Sequence, residues 1–352
     1  MPASAEKQAA VQQPSSAQQQ MPSPMRFFTA INGYQVTAAL KAAIELDLFT
    51  AIDHGASTSS AIAIRCQASD RGTRILCDFL TIQGFLEKRD GHYSLTPDSA
   101  MFLSQKSQAY MGGTIEFLLS QQHEAAFAAL TNAVRKGGCA SEHPSVEPEN
   151  PVWLSFAHSM MPMVFPIAQA AATIIQLPDD RDSKVLDIAA SHGIFGIAFA
   201  QRHSRAHIVG LDWQNVLELT KINAKRFGVE NRYTTIPGDA FQVDFGTDYD
   251  LILMPNFLHH FDPPTCQKIL TKAAKALRPG GSVAIIEFVP NDDRITPPAT
   301  AAFSLIMLAN TLSGDAWTLN EYRHMLANSG FEAPTAYPLP PSEHQLVLAK
   351  RR

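Results

Sequence analysis

The sequence predicts an α/β protein in which a Rossmann-like, doubly wound domain follows an all-helical linker and a winged-helix module. Short apolar segments alternate with helical patterns from Lys184 onward, and three helical patterns with a hairpin signal precede them. The length of 352 residues also favours more than one domain. We expect a disordered tail at 1–24, the winged module at 25–110, the helical linker and substrate lid at 111–176 and the α/β domain at 177–352.

The composition is that of a globular protein and excludes collagen-like, coiled-coil and wholly disordered classes. Hydrophobic residues make up 45% of the chain, and 28 basic against 33 acidic side chains give a net charge of −5. This mild negative charge argues against a general affinity for nucleic acid or anionic membranes. The longest apolar run, Ala301 to Ala309, is about half of what a membrane span needs, so we expect no membrane association.

The four cysteines indicate neither a metal site nor a disulfide framework, because none of them forms a C-x-x-C pair. Residues 1–24 are rich in Gln, Ser, Ala and Pro and lack the basic start and apolar stretch of a signal peptide. We therefore expect reduced thiols, a cytoplasmic location and no bound metal.

The winged module is predicted from three helices and a hairpin. Apolar residues recur at helical spacing from Val36 to Leu48, and cap signals open further helices after Ser57–Ser60 and near Ser69. Two short strands flank Arg89-Asp90-Gly91, whose Asp-Gly pair is a strong turn signal.

Winged helices often bind DNA, and this alternative is disfavoured by charge. Residues 26–106 hold eight basic and eight acidic side chains, and the third helix offers only Arg71 and Arg74 to a phosphate backbone. A packing or dimerisation module is the favoured interpretation.

The linker contains a segment rich in Met and aromatic residues, including Phe156, Met160 and Met161. A core-facing helix explains any one of these residues. Together they also suit a pocket for a planar, apolar substrate, and both interpretations stay open.

The α/β domain is predicted from short apolar strands separated by helices, which is typical of a parallel sheet with ligands beyond the carboxyl ends of its strands. The strands are expected at Val185–Ile188, Ala206–Gly210, Tyr233–Ile236, Leu251–Met254 and Ser282–Phe288.

The loop after the first strand favours S-adenosylmethionine (SAM) over a dinucleotide. A dinucleotide needs glycines where the backbone approaches the pyrophosphate, yet two of these positions hold Ala189 and Ser191. Asp187 suits the positively charged end of SAM better than a pyrophosphate. Asp212 and Asp239 end the next two strands, where they can accept from the ribose hydroxyls and the adenine amino group. Each acid alone could be a solvated loop residue, but three in series favour SAM.

In order along the chain, the Asp187 loop, Asp212, Gly238-Asp239-Ala240-Phe241, Leu258-His259-His260-Phe261, Leu277–Gly281 and Glu287, after a winged N-terminal half, resemble one known family. They are similar to the class I SAM-dependent O-methyltransferases of the plant caffeic-acid type and their bacterial relatives. The resemblance covers the chain from about residue 26 onward and implies a homodimer formed by the winged module. It implies cofactor contacts from Asp187, Ala189, Ser191, Gly193, Asp212, Trp213, Asp239, Ala240, Phe241 and Asn256.

The fourth strand delivers two adjacent histidines, His259 and His260. Methylation of a phenolic hydroxyl, with a pKa of about 10, needs removal of a proton, and a neutral histidine can do this. His259 matches the family's catalytic histidine, although capping and packing at a helix start would also explain the pair. His260 replaces the acid that commonly follows and is placed with the substrate residues.

Two acids complete the predicted catalytic set. Glu287 ends the next strand, matches a family acid that flanks the histidine, and is expected to orient His259. The family's second acid is Ala316 here, so Asp315 either substitutes for it or that role is lost.

These residues predict a SAM-dependent methyltransferase that acts on a hydroxyl of a small aromatic or polyketide-like metabolite. Carbon or nitrogen methylation by the same fold is the alternative. A winged-helix regulator with a nucleoside-sensing domain is less favoured, and an NAD-dependent oxidoreductase is disfavoured by Ala189 and Ser191.

Overall fold

The computed structural model describes residues 22–141 and 152–352. The chain divides between Ala100 and Met101 into two compact units. Most of the predicted disordered tail, residues 1–21, lies outside the described residues, as do residues 142–151 of the loop predicted in the linker.

The first unit contains short helices followed by a two-stranded antiparallel hairpin, which agrees with the predicted winged module. Leu48, Phe49, Ile62 and Leu80 are fully buried in its core. Its elements are α1 (Met25–Ile31), α2 (Gly33–Glu45), α3 (Leu48–Asp53), α4 (Ser59–Arg65), α5 (Asp70–Ile82), β1 (Leu86–Arg89) and β2 (His92–Leu95), and α6 (Pro97–Phe102) spans the division.

Local sequence signals explain these boundaries. The Thr58 hydroxyl accepts a hydrogen bond from the Ala61 N–H at the start of α4, and Ser69 caps α5 in the same way. Asp90 and Gly91 both have positive φ, as the tight turn between β1 and β2 requires. The single helix predicted from Val36 to Leu48 is wrong, because Asp47 adopts a left-handed φ of 52° that separates α2 from α3.

The second unit begins with a helical segment, which confirms the predicted secondary structure of the linker for the residues that the structure describes. A 3-10 turn at Gly112–Thr114 leads into α7 (Ile115–Leu118), α8 (Gln121–Ala128), α9 (Leu130–Lys136), α10 (Val152–Ser159) and α11 (Met161–Ile174).

A mixed sheet forms the centre of the second unit. In the described residues its strand order is β5-β4-β3-β6-β7-β9-β8. The strands are β3 (Ser183–Ile188), β4 (Ala206–Asp212), β5 (Tyr233–Pro237), β6 (Tyr249–Pro255), β7 (Leu277–Phe288), β8 (Thr335–Pro338) and β9 (His344–Lys350). The five predicted strands are parallel, but the expectation of a wholly parallel sheet is wrong. Strand β9 pairs antiparallel with β7, and β8 turns back antiparallel to β9.

Helices cover both faces of this sheet. Side chains alternate along β3 and β6, so that Leu186 and Ile252 join one apolar cluster while Val185 and Leu251 join the other. The flanking helices are α12 (Ile194–Arg202), α13 (Gln214–Arg226), α14 (Pro263–Ala276), α15 (Pro298–Asn310) and α16 (Leu319–Asn328). Across residues 22–141 and 152–352, no helix has both the length and the apolar character that a bilayer crossing requires.

Candidate active site

The loop after β3 has the tight shape of a glycine-rich loop although two of its three residues with positive φ are not glycines. Ala189, Ser191 and Gly193 have φ angles of 56°, 52° and 78°. The Ser191 N–H donates to the Asp212 carboxylate (2.8 Å), and the Ser191 carbonyl accepts from the Thr220 hydroxyl (2.5 Å). Hydrogen bonds from neighbouring strand and helix therefore hold a left-handed backbone that alanine and serine rarely adopt.

Asp187 lies fully buried at the end of β3 beneath this loop. Its Oδ2 accepts the Gly196 N–H (2.9 Å) and a longer bond from the Tyr233 hydroxyl (3.5 Å). Its Oδ1 has no hydrogen-bond partner among the described residues, and burial raises the pKa of the carboxyl to about 7. A buried, incompletely bonded carboxylate attracts a cationic or hydrogen-bond-donating ligand.

Asp212 ends the adjacent strand β4, and its carboxylate links the loop after β3 to the residue that follows β4. Its two carboxylate oxygens accept the N–H groups of Ser191 (2.8 Å) and Trp213 (2.7 Å). Burial raises the pKa of this carboxyl to about 6.

Asp239 follows the next strand, β5, on the outer side of Asp212. Gly238, just before it, donates its N–H to the Asp212 carbonyl (2.9 Å), which ties the two strand ends together. The Asp239 carboxylate accepts the Phe241 N–H (2.8 Å), Ala240 is buried, and the Phe241 ring packs against Phe261 at 5.1 Å.

The predicted cofactor residues on β3, β4 and β5 therefore lie along one edge of the sheet. Among the described residues, Asp187 Oδ1 and Ser191 Oγ are buried and have no hydrogen-bond partner. This donor and acceptor set fits SAM, whose ammonium group and ribose hydroxyls can donate hydrogen bonds to carboxylates.

The ends of β6 and β7 bring His259 and Glu287 together, as expected for neighbouring parallel strands. His259 Nδ1 lies 2.5 Å from Glu287 Oε2, and both side chains are buried. The N–H groups of Phe257, Leu258 and His259 converge on the other oxygen, Oε1, at 2.9, 3.0 and 3.4 Å. The Glu287 carboxylate thus holds both the imidazole and the backbone that carries it.

The hydrogen bonds of this pair indicate which atom is basic. Burial lowers the pKa of His259 to about 3, so the imidazole is neutral at physiological pH. Burial also raises the pKa of Glu287 to about 8, although hydrogen bonds from the three N–H groups oppose this rise. With Glu287 ionised, the proton on His259 Nδ1 is donated to Oε2, which leaves Nε2 as the basic atom.

Aromatic side chains connect the cofactor loop to the two histidines. Phe156 on α10 stacks on His192 of the loop at 6.2 Å, and Trp153 on the same helix packs edge-on against His260 at 5.4 Å. The rings of His259 and His260 lie 4.3 Å apart. The predicted substrate residues Phe156 and His260 therefore belong to one aromatic wall, a row of ring contacts that also includes His192, Trp153 and His259.

His192 presents a buried hydrogen-bond donor within this wall. Its Nδ1 accepts the Ile194 N–H at 3.2 Å, so its proton resides on Nε2. Nε2 is buried without a partner among the described residues. Burial lowers the pKa of His192 to about 4, so the ring is neutral.

The structure gives the surroundings of four further predicted site residues. Met160 is buried, and Met161 packs on the apolar cluster that includes Val185 and Leu251. The Asn256 side chain bonds to His344 (2.9 Å), and the Asp315 carboxylate bonds to Arg294 (2.9 Å).

In the part of the chain that the structure describes, Asp315 contacts the dyad of His259 and Glu287 only through its backbone. Its N–H donates to the His259 carbonyl (3.0 Å), while its carboxylate forms the ion pair with Arg294. Its use as the second acid remains a prediction.

Sequence reasoning missed several residues that surround the histidines. Trp153, His192 and His344 are described above, and Phe303 on α15 packs edge-on against His259 at 4.9 Å. Trp153 lies three positions before Phe156, and His192 lies between Ser191 and Gly193, so proximity to predicted site residues was the available signal. No local pattern marks Phe303 or His344.

Comparison with known proteins matches the two units separately. Residues 170–332 match the model of the O-methyltransferase domain, and residues 28–105 match that of the O-methyltransferase dimerisation domain. The chain is 28% identical over 304 residues to 3-hydroxy-5-methyl-1-naphthoate 3-O-methyltransferase of Streptomyces sahachiroi, which covers 85% of this chain and 86% of the relative.

Solved structures show the same fold over nearly the whole chain. A candidate O-methyltransferase from Nostoc punctiforme PCC 73102 is 51% identical, with a TM-score of 0.90 over 94% of this chain and 100% of that one. Human N-acetylserotonin methyltransferase in complex with SAM is 22% identical, with a TM-score of 0.82 over 95% of this chain and 99% of that one.

Proposed function

Because this chain belongs to the O-methyltransferase family and is a SAM-dependent enzyme, we propose that it methylates a hydroxyl group of a small aromatic or polyketide-like molecule with His259 as general base. The observation that carries the proposal is the buried hydrogen bond of 2.5 Å between His259 Nδ1 and Glu287 Oε2. A buried imidazole with one nitrogen occupied by a carboxylate has the other nitrogen available for proton transfer.

The chain's own residues handle the proton and the geometry. His259 Nε2 would accept the hydroxyl proton while the oxygen lone pair forms its bond to the methyl carbon and the sulfonium S–CH₃ bond breaks, with S-adenosylhomocysteine as the leaving group. Glu287 would stabilise the imidazolium that results. Bound SAM supplies the electrophilic methyl group. We assign its binding to Asp187, Asp212 and Asp239 at the strand ends, which keeps it separate from the proton-transfer pair.

The aromatic wall supports a flat acceptor. Phe156 and Trp153 project from one helix toward His192 and His260, so a planar ring can stack there while a hydroxyl reaches the dyad. The relative from Streptomyces sahachiroi acts on a hydroxynaphthoate, which is an acceptor of this shape. Nε2–H of His192 would donate to a carbonyl or carboxylate on such a ring.

A screen with isotope-labelled SAM tests the proposal. Purified protein is incubated with methyl-labelled SAM and a panel of phenols, naphthols and hydroxynaphthoates, and products are identified by mass spectrometry and NMR. We expect a labelled methoxy product from at least one bicyclic phenol. Label that appears only on carbon or nitrogen would contradict hydroxyl methylation, and the absence of turnover with the whole panel would contradict the substrate class.

The same proposal includes a homodimer formed by the first unit. Helix α1 has no buried residue, and Met25, Phe27, Phe28 and Ile31 are 48–64% exposed. An apolar surface of this kind usually packs against a partner, and the dimerisation-domain match begins within this helix, at residue 28.

Light scattering during size-exclusion chromatography checks this assembly. We expect a dimer for the full chain and a monomer or a much weaker dimer for the Phe27→Asp, Phe28→Asp double variant. The exposed Ile222→Asp in the second unit is the matched control and should stay dimeric. A wild-type monomer at tens of micromolar would overturn the assignment.

We also propose a cytoplasmic location. All four cysteines, Cys66, Cys77, Cys139 and Cys266, are free, which suits a reducing compartment. Fractionation of the producing cells would test this, and recovery outside the cytoplasm would contradict it.

A further inference from the structure

The backbone at the end of β6 turns sharply at Asn256. This residue has a left-handed φ of 50°, and its N–H donates to the Ile286 carbonyl of β7 at 2.9 Å. The next three N–H groups all point at Glu287 Oε1. The turn at Asn256 thus sets the backbone on which His259 is mounted.

His344 on β9 holds the side chain of Asn256. Its Nδ1 lies 2.6 Å from the Ser342 hydroxyl, and its Nε2 lies 2.9 Å from Asn256 Oδ1. A hydroxyl that donates to Nδ1 places the imidazole proton on Nε2, which then donates to the amide oxygen. His344 is 7% exposed, so this chain of hydrogen bonds is shielded from water.

The His344 ring also reaches the dyad through packing. It lies across the strand pair from Phe288 with ring centroids 4.0 Å apart, and Phe288 stacks on Phe303 at 4.3 Å. Phe303 in turn packs edge-on against His259 at 4.9 Å. His344 therefore supports both sides of His259, its backbone through Asn256 and its ring through two phenylalanines.

We propose that His344 is a positioning residue for methyl transfer, acting through its hydrogen bond to Asn256 to fix the turn that presents His259 to Glu287. This inference rests on the proposed function of the dyad. It assigns Asn256 to the turn that positions His259, whereas the sequence predicted that Asn256 contacts the cofactor. Burial lowers the pKa of His344 to about 4, which keeps it a neutral hydrogen-bond donor across the working range.

A double-mutant cycle tests the link. His344→Phe keeps a flat ring on Phe288 but removes the N–H donor, and Asn256→Ala removes the acceptor. We expect each variant to lower kcat by about tenfold, the scale of one positioning hydrogen bond, and the double variant to lose no more than either single one. His344→Gln, which retains an N–H donor, should recover most of the rate.

Two measurements separate positioning from simple structural damage and from cofactor binding. The Nδ1 proton in the short His259–Glu287 hydrogen bond should give a far-downfield NMR signal, assigned by its loss in His259→Ala. This signal should shift or broaden in His344→Phe and Asn256→Ala and remain in His344→Gln. Calorimetry should find SAM affinity within about twofold of wild type in all three variants.

Several outcomes would overturn the proposal. Additive losses in the double variant would show that the two residues act independently. Weaker SAM binding in Asn256→Ala alone would return this residue to the cofactor site. An unchanged signal and an unchanged kcat in His344→Phe would leave His344 without a role in the dyad. The NMR signal needs no acceptor substrate, so it tests this link even if the proposed hydroxyl methylation fails.

Discussion

The two halves of the sheet's carboxyl edge differ in how completely they bond their buried carboxylates. At the β6–β7 end, Glu287 accepts three backbone N–H groups and contacts the His259 imidazole, so both of its oxygens are engaged. At the β3 end, Asp187 is equally buried, yet one of its oxygens has no partner in the described residues.

This difference in hydrogen bonding distinguishes a catalytic pair from a ligand site. The protein itself supplies hydrogen bonds to both oxygens of Glu287 in the His259–Glu287 pair, as expected of a group that must hold its geometry through each turnover. The Asp187 carboxylate gains a partner for its second oxygen only when a ligand supplies a hydrogen-bond donor or a positive charge. A variant at one end should therefore change rate, and a variant at the other should change affinity.

The largest expected effect is at the dyad. His259→Ala should lower kcat by about 10²–10⁴, the contribution of a positioned base, while SAM affinity by calorimetry stays unchanged. His260→Ala removes the adjacent imidazole and is the matched control, with a much smaller loss. If His260→Ala caused the larger loss, His260 and not His259 would be the base.

The next effect is at the cofactor end. Asp212→Ala should weaken SAM binding by roughly 1–3 kcal/mol, the scale for losing charge-assisted hydrogen bonds, and calorimetry measures this directly. Asp180→Ala removes the same charge from an exposed position and should leave affinity unchanged. If Asp212→Ala bound SAM with wild-type affinity, the assignment of cofactor binding to the ends of β3 and β4 would be contradicted.

The smallest effect is on stability and depends on pH. Burial raises the pKa values of Asp187 and Glu287 to about 7 and 8, above the values of about 4 in an unfolded chain. The folded state then binds more protons, so the free energy of unfolding falls as pH rises from about 4 to 8. Buried His192, His259 and His344, with lowered pKa values, oppose this below about pH 6.5.

Thermal melts of the SAM-free protein between pH 6.5 and 8.5 check this effect. The Tm should fall across this range, by roughly 2–4 °C for each kcal/mol lost. Asp187→Asn should flatten the fall, and saturating SAM should flatten it in the wild type by favouring the ionised acid. A Tm that rises across the range would contradict the raised pKa values.

Patterns within the chain could predict much of this architecture. Parallel strands end at one edge, so Asp187, Asp212, His259 and Glu287 could be placed at the same edge of the sheet from the alternation of strands and helices. The Asp90-Gly91 turn followed from local chemistry in the same way.

Contacts between distant segments could not be predicted. The bond between Asn256 and His344 joins residues 88 positions apart, through the antiparallel strand β9 that the sequence reading missed. The ion pair of Asp315 with Arg294 depends on how two loops meet, and the packing of Phe303 on His259 depends on where α15 lies. Such contacts follow from tertiary packing and leave no periodic signal in the chain.

We expect His259, held by Glu287, to remove the proton from the acceptor hydroxyl. Single-turnover rates at saturating SAM for the wild type and His259→Ala, from pH 6 to 10, test it directly. The wild-type rate should rise with pH and then level off, because the base-competent pair needs ionised Glu287 and burial raises the pKa of that carboxyl. The ratio of the two rates should fall toward one as pH approaches the acceptor's own pKa, about 10 for a phenol. A ratio that stays constant over this range would contradict general-base catalysis by His259.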